Sequence, residues 1–584
     1  MNFRRKYEVK KVIPRLLLLS LLIMSMMITP FILRSETIQT YTIQTYTIAW
    51  SDVGYPQPFT LYPFGPFYTV TALIFDTLAW YGPNGIIPWL AENFTQINST
   101  TWLITLRKGV DFTNGMPVTA EDVVFSYNYT KYVDTHIGYI WYASYIIYVK
   151  QIQAINNYTV LLTLNRSIPA DLVEKNLFAS IFIVPESIWK NVTDPTHFTS
   201  PQAFIGSGPF ELESYQPGVG YTFVANPNYF MGKPVVNTLK ILVVSSSQLP
   251  NMLLKGEVDA GSFDNYFDII PFLNNSQFGI VAYSPGLEYT LEFNLLRYPF
   301  NITEFRQALV YAINLTAIYD ALGGEKAGYM GGPFVVAPNT PYFNPNLYHY
   351  YNYSPQKALE ILQDLGFKYV NGQLLSPQGQ PVSFTLIIPS DDTIAQTIAS
   401  YIKNFMSNIG ISITIKSVPS NLRTQYMASG DFDMMINIFG GALVPYALAY
   451  FVKGSVQYIP GFNNATIKQI LNQAQFVNLS ERIVLMNEFN KYFAQLVPEI
   501  SIYFPYFFWV YNKQAGITNW FFNPDYESGP PWILNKIVFL PMMPQTSMPS
   551  MTSTATSNLT ITYVLVGIVI MVAVVVFVVM RLRR

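Results

Sequence analysis

The sequence has 584 residues, no cysteine, three histidines, and 34 Lys and Arg against 35 Asp and Glu. This length allows a large core, while the lack of cysteine excludes a disulfide framework, a cysteine zinc site and a thiol nucleophile. Charged residues are 12% of the chain and the histidines are far apart, so neither a basic nucleic-acid-binding face nor a histidine metal site is expected. We expect no cofactor and no metal.

The chain begins with a basic segment followed by an apolar one. Six of the first 15 residues are Lys or Arg, and the 18 residues from Leu16 to Leu33 carry no charge. As a helix this run would be about 27 Å long, just enough to cross the hydrocarbon core of a membrane. We expect residues 1–34 to be a signal peptide that is cleaved, or else a retained N-terminal anchor.

The middle of the chain shows helices and strands in alternation. Apolar residues at every second position in 46–50 predict a strand, and 119–122 resembles a capping box at the start of a helix. A helix is predicted to begin at Ser354-Pro355 and to end at Gly366. Residues 391–409 predict a second helix with isoleucines on one face, and 411–415 a half-buried strand. This order predicts an α/β body.

The end of the chain, like its start, combines an uncharged apolar run with basic residues. Residues 541–560 are uncharged and rich in Pro, Ser, Thr and Met, which indicates a stalk. A second uncharged run of 18 residues, Tyr563 to Met580, precedes three arginines in the last four residues. We predict a transmembrane helix with a basic cytoplasmic tail in 561–584, and hence a single-pass cell-membrane protein with a large extracellular domain.

The predicted extracellular part is poor in charge, with 24 basic and 34 acidic residues between positions 35 and 560. We expect such a surface to suit an acidic exterior, where solubility cannot depend on carboxylates. Thirteen Asn-x-Ser/Thr sequons support the extracellular assignment. Asn352 is the poorest acceptor, because Pro355 follows its serine. The glycosylation candidates are the other twelve: Asn93, Asn98, Asn128, Asn157, Asn165, Asn191, Asn274, Asn301, Asn314, Asn464, Asn478 and Asn558.

Ordered motifs between the two apolar runs resemble the family 5 extracellular solute-binding proteins, the dipeptide- and oligopeptide-type binding proteins of ABC importers. The most specific block lies in 88–129, where PWLAE is followed by a W-x-I-x-LR-x-GV-x-F-x-x-G core and by VTAEDV. We interpret its Arg107, Gly109, Gly115 and Asp122 as determinants of the fold. Further landmarks follow in the family's order at 206–218, 226–241, 253–261, 293–314, 351–367 and 407–436. The resemblance spans about 45–540.

The resemblance implies an α/β, two-lobed fold of the type II periplasmic-binding-protein kind with an extra α/β domain. Its pattern assigns 45–70, 200–285 and 500–540 to the first lobe, 71–199 to the extra domain and 286–499 to the second lobe. A ligand would bind in the cleft between the lobes, and the closed form would deliver it to a membrane permease. Because the chain has no Walker A motif, separate ATPase subunits would be needed. No chemical step is implied, so we do not expect an enzyme.

The resemblance leaves the ligand open. Peptide-binding members use an aspartate shortly after GDFD to pair with the peptide's amino terminus, but the matching segment 438–451 contains no acid. Either Asp52, Glu288 or Glu292 substitutes for it, or the ligand is a neutral oligosaccharide held by aromatic and amide side chains. We expect oligosaccharides to bind at least as well as peptides.

Residues are expected at the cleft from their family position alone. For each aromatic among them core packing is the alternative, and for Asn294 it is the capping of a strand end. The expected ligand-binding residues are Trp50, Asp52, Tyr55, Asn294, Phe439, Gly440 and Tyr446.

Two rival functions remain open on the sequence. One is a membrane-anchored extracellular glycoside hydrolase, which would need a pair of carboxylates across a sugar. The other is a structural surface protein. Turnover of a sugar or peptide would favour the first, and absence of any small-ligand binding would favour the second.

Overall fold

The computed structural model describes residues 42–59, 66–138, 140–440, 446–451, 458–522 and 533–541. By its contacts the chain divides into Met1–Ile43 and Gln44–Arg584. Apart from Ile43, the first residue of β1, all the described helices and strands belong to the second unit. The two predicted membrane segments and nearly all of the predicted stalk lie outside the described residues. Within those residues, no helix is long and apolar enough to cross a membrane.

The described strands alternate with helices along most of the chain. The strands are β1 (Ile43–Trp50), β2 (Ala79–Gly82), β3 (Gly85–Pro88), β4 (Ala91–Asn98), β5 (Thr101–Leu106), β6 (Val149–Asn156), β7 (Thr159–Leu164), β8 (Phe210–Gln216), β9 (Gly220–Ala225), β10 (Val236–Val243), β11 (Ala260–Phe263), β12 (Phe278–Tyr283), β13 (Leu287–Phe293), β14 (Gly328–Gly332), β15 (Lys368–Val370), β16 (Gln373–Leu375), β17 (Ser383–Pro389), β18 (Ser412–Val418), β19 (Met434–Gly440), β20 (Glu499–Pro505) and β21 (Phe507–Asn512). The α-helices are α1 (Pro66–Thr71), α2 (Ala120–His136), α3 (Ala170–Val173), α4 (Glu186–Trp189), α5 (Leu249–Lys255), α6 (Ile270–Leu273), α7 (Thr303–Ala312), α8 (Leu315–Ala321), α9 (Pro355–Asp364), α10 (Thr393–Asn408), α11 (Ser420–Ser429), α12 (Ala465–Ala474) and α13 (Leu479–Leu496).

A seven-stranded sheet, called here the first sheet, has the order β12-β21-β11-β1-β10-β9-β8. Its central strand β1 is the one predicted from alternating apolar residues, and Tyr46 and Ile48 are fully buried. β1 runs parallel to β11, with Ile48 opposite Ala260. Distant parts of the chain therefore meet beside β1.

A six-stranded sheet, called here the second sheet, has the order β14-β20-β13-β19-β17-β18. The predicted helices 354–366 and 391–409 are confirmed as α9 and α10, and the predicted strand at 411–415 is part of β18. Ser354 caps α9 by accepting a hydrogen bond from Lys357 N at 3.2 Å, and Asp392 caps α10 by accepting one from Ala395 N at 2.8 Å. The isoleucines of α10 pack into the core of this sheet.

A four-stranded antiparallel sheet, the third sheet, has the order β4-β5-β7-β6 and contains the most specific motif block. The motif residues act structurally, as interpreted from the sequence. Arg107 Nε donates to the Trp89 carbonyl at 2.6 Å, and Asp122 accepts from Thr119 N at 2.9 Å at the start of α2. Gly109 has a φ of 73°, a conformation that side-chain-bearing residues rarely adopt.

The C-terminal described segment, 533–541, is tied to the residues before the third sheet by a buried ion pair. Lys536 Nζ donates to Asp76, and neither side chain is exposed. Asp76 also accepts from Trp89 Nε1 at 2.8 Å and from Ser207 Oγ at 2.9 Å. The same Ser207 belongs to the GSGPF landmark, so that landmark also serves the fold.

Candidate functional site

The carboxyl ends of parallel strands in both large sheets lead to the candidate site. In the first sheet, Trp50 ends β1 and Asp264 directly follows β11, which is parallel to β1. In the second sheet, β17 and β19 are parallel, and their ends lead to Asp392 and to Gly440. In open α/β sheets, ligands bind outside the carboxyl ends of strands. We therefore looked for the ligand site at the carboxyl ends of these strands in the two sheets.

A cavity of about 80 Å³ lies at this edge and joins residues of the two sheets and their helices. Asn265 Nδ2, after β11, is 3.5 Å from Thr393 Oγ1, the first residue of α10. The cavity has one carboxylate, one side-chain amide, four hydroxyls and three aromatic rings among its lining residues. Its lining residues are Asp264, Asn265, Tyr266, Phe267, Ala321, Leu322, Thr393, Ile394, Thr397 and Tyr503.

The one carboxylate in the cavity wall is that of Asp264, and the charges of Asp392 and Asp268 act on it. Desolvation raises the pKa of Asp264, and the charges of Asp392 and Asp268 raise it further, although Asp264 retains exposed surface. Desolvation also raises the pKa of Asp392, against the hydrogen bonds that it accepts from Ala395 N and from Tyr289 Oη at 2.9 Å. No Lys or Arg is among the residues that line the cavity.

Of the residues predicted from the sequence, Trp50, Asp52 and Tyr55 lie together at the end of β1. Trp50 is half-buried, its ring meets that of Trp509 edge to face at 5.7 Å, and its Nε1 has no hydrogen-bond partner among the described residues. Tyr55 is 39% exposed and meets Tyr215 edge to face at 4.9 Å. The Trp50 Nε1 atom itself is buried, whereas Tyr55 presents part of its ring at the surface.

The carboxylate of Asp52 makes four hydrogen bonds within the protein. Its carboxylate accepts from the backbone N of Gly54 at 3.0 Å and of Gly218 at 2.6 Å. It also accepts from the hydroxyls of Tyr215 at 2.8 Å and Tyr221 at 3.1 Å. Desolvation works to raise the pKa of Asp52, but these hydrogen bonds outweigh it and lower the pKa. The carboxylate is thus occupied in holding the β8–β9 turn to the end of β1.

Asn294 and Gly440 lie at opposite ends of the antiparallel pair β13–β19. Leu287 is opposite Gly440 and Phe293 is opposite Met434, so six residues, or about 20 Å, separate the two levels. Asn294 Nδ2 donates to the carbonyls of Gly430 at 2.8 Å and Phe432 at 3.1 Å. It therefore acts at the strand end as the alternative interpretation proposed. The side chains of Phe439 and Tyr446 lie outside the described residues.

The other two proposed substitute acids, Glu288 and Glu292, are fully buried on the polar face of the second sheet. Glu288 accepts from Ser501 Oγ, and Glu292 accepts from Asn437 Nδ2 at 3.2 Å. Burial raises the pKa of Glu288, and it raises that of Glu292 to about 8 against the opposing charge of Arg423. These carboxyls lie in the interior of the second sheet and do not line the cavity.

Sequence reasoning missed Asp264, which lines the cavity, and Asp392, which caps the helix that lines it. Both carried a weak signal, since Asp264 follows the GEVDAG landmark by a few residues and Asp392 lies at the start of the periodic segment 391–409. Only the fold brings these two segments, more than a hundred residues apart, to one cavity.

Comparison with known proteins identifies the family of this chain. Residues 85–458 match the model of the bacterial extracellular solute-binding proteins, family 5. The chain belongs to this family. Among its relatives, the nickel-binding periplasmic protein of Escherichia coli is 27% identical over 388 residues, covering 64% of this chain and 71% of that protein. The oligopeptide-binding protein AppA of Bacillus subtilis is 24% identical over 448 residues, 72% of this chain and 77% of AppA.

Solved structures show the same α/β, periplasmic-binding-protein-like fold. Bacillus subtilis AppA in complex with a nonapeptide matches with a TM-score of 0.69 and 19% identity, over 83% of this chain and 97% of that one. DppA of Helicobacter pylori in complex with the peptide STSA matches with a TM-score of 0.68 and 20% identity, over 86% of this chain and 99% of that one. The predicted family and the α/β, periplasmic-binding-protein-like fold are confirmed, while the division into two lobes and an extra domain and the membrane segments stay predictions.

Proposed function

We propose that this family 5 protein is the extracellular substrate-binding component of an ABC importer, which captures an oligopeptide or an oligosaccharide and delivers it to a membrane permease. The observation that carries the proposal is a cavity between the segment after β11 of the first sheet and residues of β20 and α10 beside the second sheet, in a chain of this family. Relatives are named for binding oligopeptides, dipeptides and nickel, so a peptide is the first ligand to test.

The cavity would lie between two lobes. We assign the first sheet to one lobe (45–70, 200–285 and 500–540) and the second sheet to the other (286–499), with the third sheet in an extra domain (71–199). The chain passes between the two large sheets at Ser284 to Gly286 and at Tyr506, two short connections that suit a hinge. Tighter ligand binding to the closed arrangement would then drive closure.

The protein would be held at the outer face of the membrane by the C-terminal run 563–580, and the permease would use separate ATPase subunits. Among the described glycosylation candidates, nine are exposed and so are open to a glycan: Asn93, Asn98, Asn128, Asn157, Asn165, Asn191, Asn274, Asn301 and Asn478. Asn314 and Asn464 are half-buried helix caps, so we expect them to be poorer acceptors.

Thermal-shift titration of the full-length chain in detergent tests this proposal. The ligands are di- to pentapeptides and di- to pentasaccharides, with mass spectrometry of the ligand after incubation. We expect either the peptides or the saccharides to raise the melting temperature in a saturable way, and the mass of the ligand to stay unchanged. Hydrolysed ligand would favour the glycoside hydrolase or another enzyme. A folded protein that no ligand of either class stabilises would reject the proposal in favour of a structural surface protein.

A further inference from the structure

The extra domain is fastened to the first lobe through its backbone. Thr113 N donates to the Gly206 carbonyl at 2.9 Å, and Phe210 N donates to the Leu73 carbonyl at 2.9 Å. The buried ion pair of the segment 533–541 joins the same two parts. These bonds are buried or belong to the backbone, so the extra domain and the first lobe are expected to move as one body.

The extra domain meets the second lobe at the turn between α12 and α13, and the first contact there is an ion pair. Arg482 of α13 donates from Nη2 to Asp171 Oδ2 of α3 at 3.2 Å and from Nη1 to the same oxygen at 3.3 Å. The Arg482 side chain is fully buried, while that of Asp171 is 38% exposed. Within the described residues, no backbone-to-backbone hydrogen bond joins the extra domain to the second lobe.

The second contact is centred on Phe476, in the same turn. The guanidinium of Arg166, an exposed residue after β7, lies 3.4 Å from the centre of the Phe476 ring. The ring of Tyr148 meets that of Phe476 edge to face at 5.3 Å, and Tyr145 Oη donates to the Gln475 carbonyl at 3.3 Å. A guanidinium over an aromatic face is attracted to it, but one that stays in contact with water can also leave it.

Both members of the ion pair keep partners when they separate. Arg482 also donates to the Val477 carbonyl at 3.1 Å and to Tyr342 Oη at 3.4 Å, and both of these acceptors belong to the second lobe. Asp171 already has exposed surface, so water can replace the guanidinium. Separation therefore leaves no buried group without a partner. Because the proposed division gives no chain connection between the extra domain and the second lobe, they can part without unfolding.

We propose that the contacts of Asp171 with Arg482 and of Arg166 with Phe476 form a latch, which holds the second lobe against the extra domain before a ligand binds. This inference rests on the proposed function and on its division into lobes. Because the extra domain moves with the first lobe, the latch favours the closed arrangement of the two lobes. A larger closed population in the free protein raises the apparent affinity for any ligand that binds the closed arrangement.

The test measures a distance across the latch in the ligand-free, full-length chain in detergent, by double electron–electron resonance between two spin labels. The chain has no cysteine, so the labels attach only to the introduced Gln153→Cys on β6 and Lys491→Cys on α13. Both positions are exposed. We expect the labelled chain to show a population at a short distance. Asp171→Asn should lower the ratio of the short-distance to the long-distance population about three- to tenfold, and adding Phe476→Ala should lower it further.

Glu360→Gln is the matched control. It removes one member of an ion pair with Lys357, at 3.2 Å, that lies wholly within the second lobe, so the distance should not change. If Asp171→Asn does not fold, Arg166→Ala takes its place, because Arg166 is exposed and its removal leaves no buried carboxylate unpaired.

Two outcomes overturn the latch. One is an unchanged distance distribution in the folded double variant Asp171→Asn/Phe476→Ala, and the other is a labelled chain that shows only the long distance. Neither outcome bears on the importer function, because no ligand is present in the measurement. Opening of the latch variants in a chain that no peptide or saccharide stabilises would support the latch and reject the importer function.

Discussion

The substitution Glu292→Gln should change how the stability of this protein depends on pH. Glu292 is fully buried on the polar face of the second sheet, where its carboxyl accepts from Asn437 Nδ2 at 3.2 Å. Burial, opposed in part by the charge of Arg423, raises its pKa from 4.5 to about 8. Glutamine keeps the size and the acceptor oxygen but has no proton to lose.

The protein loses stability as the pH rises, because the pKa of Glu292 is higher in the folded chain than in the unfolded chain. Below pH 4.5 the carboxyl is protonated in both folded and unfolded chains, so burial incurs no charge penalty. Between pH 4.5 and about 8, the unfolded chain releases this proton while the folded chain keeps it. A difference of this size lowers the free energy of unfolding by about 3–5 kcal/mol as the pH rises through that window.

Urea unfolding at pH 4.5, 6 and 8 measures the effect. The stability of the wild type relative to Glu292→Gln should fall by about 3–5 kcal/mol from the lowest to the highest pH. Glu213→Gln, an exposed substitution on β8, serves as the matched control and should show no such trend. A constant difference between wild type and Glu292→Gln across the three pH values would refute the assignment of a buried, protonated Glu292.

Other substitutions test contacts that join distant parts of the chain. Lys536→Met should cost about 3–5 kcal/mol in urea unfolding because it leaves a buried carboxylate unpaired, and adding Asp76→Asn should recover part of that loss. Asp171→Asn should cost about 1–3 kcal/mol, since Arg482, which is fully buried and donates to Asp171 at 3.2 Å, loses its ionic partner; no loss would show that other acceptors suffice. Asp52→Asn should lower the melting temperature, with a cost of about 1–3 kcal/mol, yet change ligand affinity by less than about twofold. A selective loss of peptide binding at unchanged stability would show instead that Asp52 contacts the ligand.

The local elements were well predicted because their signals are short-range. Ser354-Pro355 and Gly366 bracket α9, and the isoleucines of 391–409 face the core from α10. These signals depend on capping and on helical periodicity, which neighbouring residues supply by themselves. The family motifs gave the fold class in the same direct way, since residues 85–458 match the family.

The site was predicted less well because its residues are defined by partners far away in the sequence. Asp52 looked like a free acid near a strand end, but Tyr215, Tyr221 and Gly218 occupy it. Glu288 looked equally available, yet it points into the interior of the second sheet, beside Ser501. Strand alternation predicts that a residue faces one side of a sheet, but not what covers that side.

The sequence by itself determined the family, the α/β class and the main periodic elements, because these depend on local patterns and ordered motifs. Tertiary structure decided which acids are available to a ligand. Strand pairing joins segments that are hundreds of residues apart, such as β1 with β11 and β11 with β21. Whether a carboxylate is occupied, as Asp52 is, or left facing a cavity, as Asp264 is, depends on these long-range pairings.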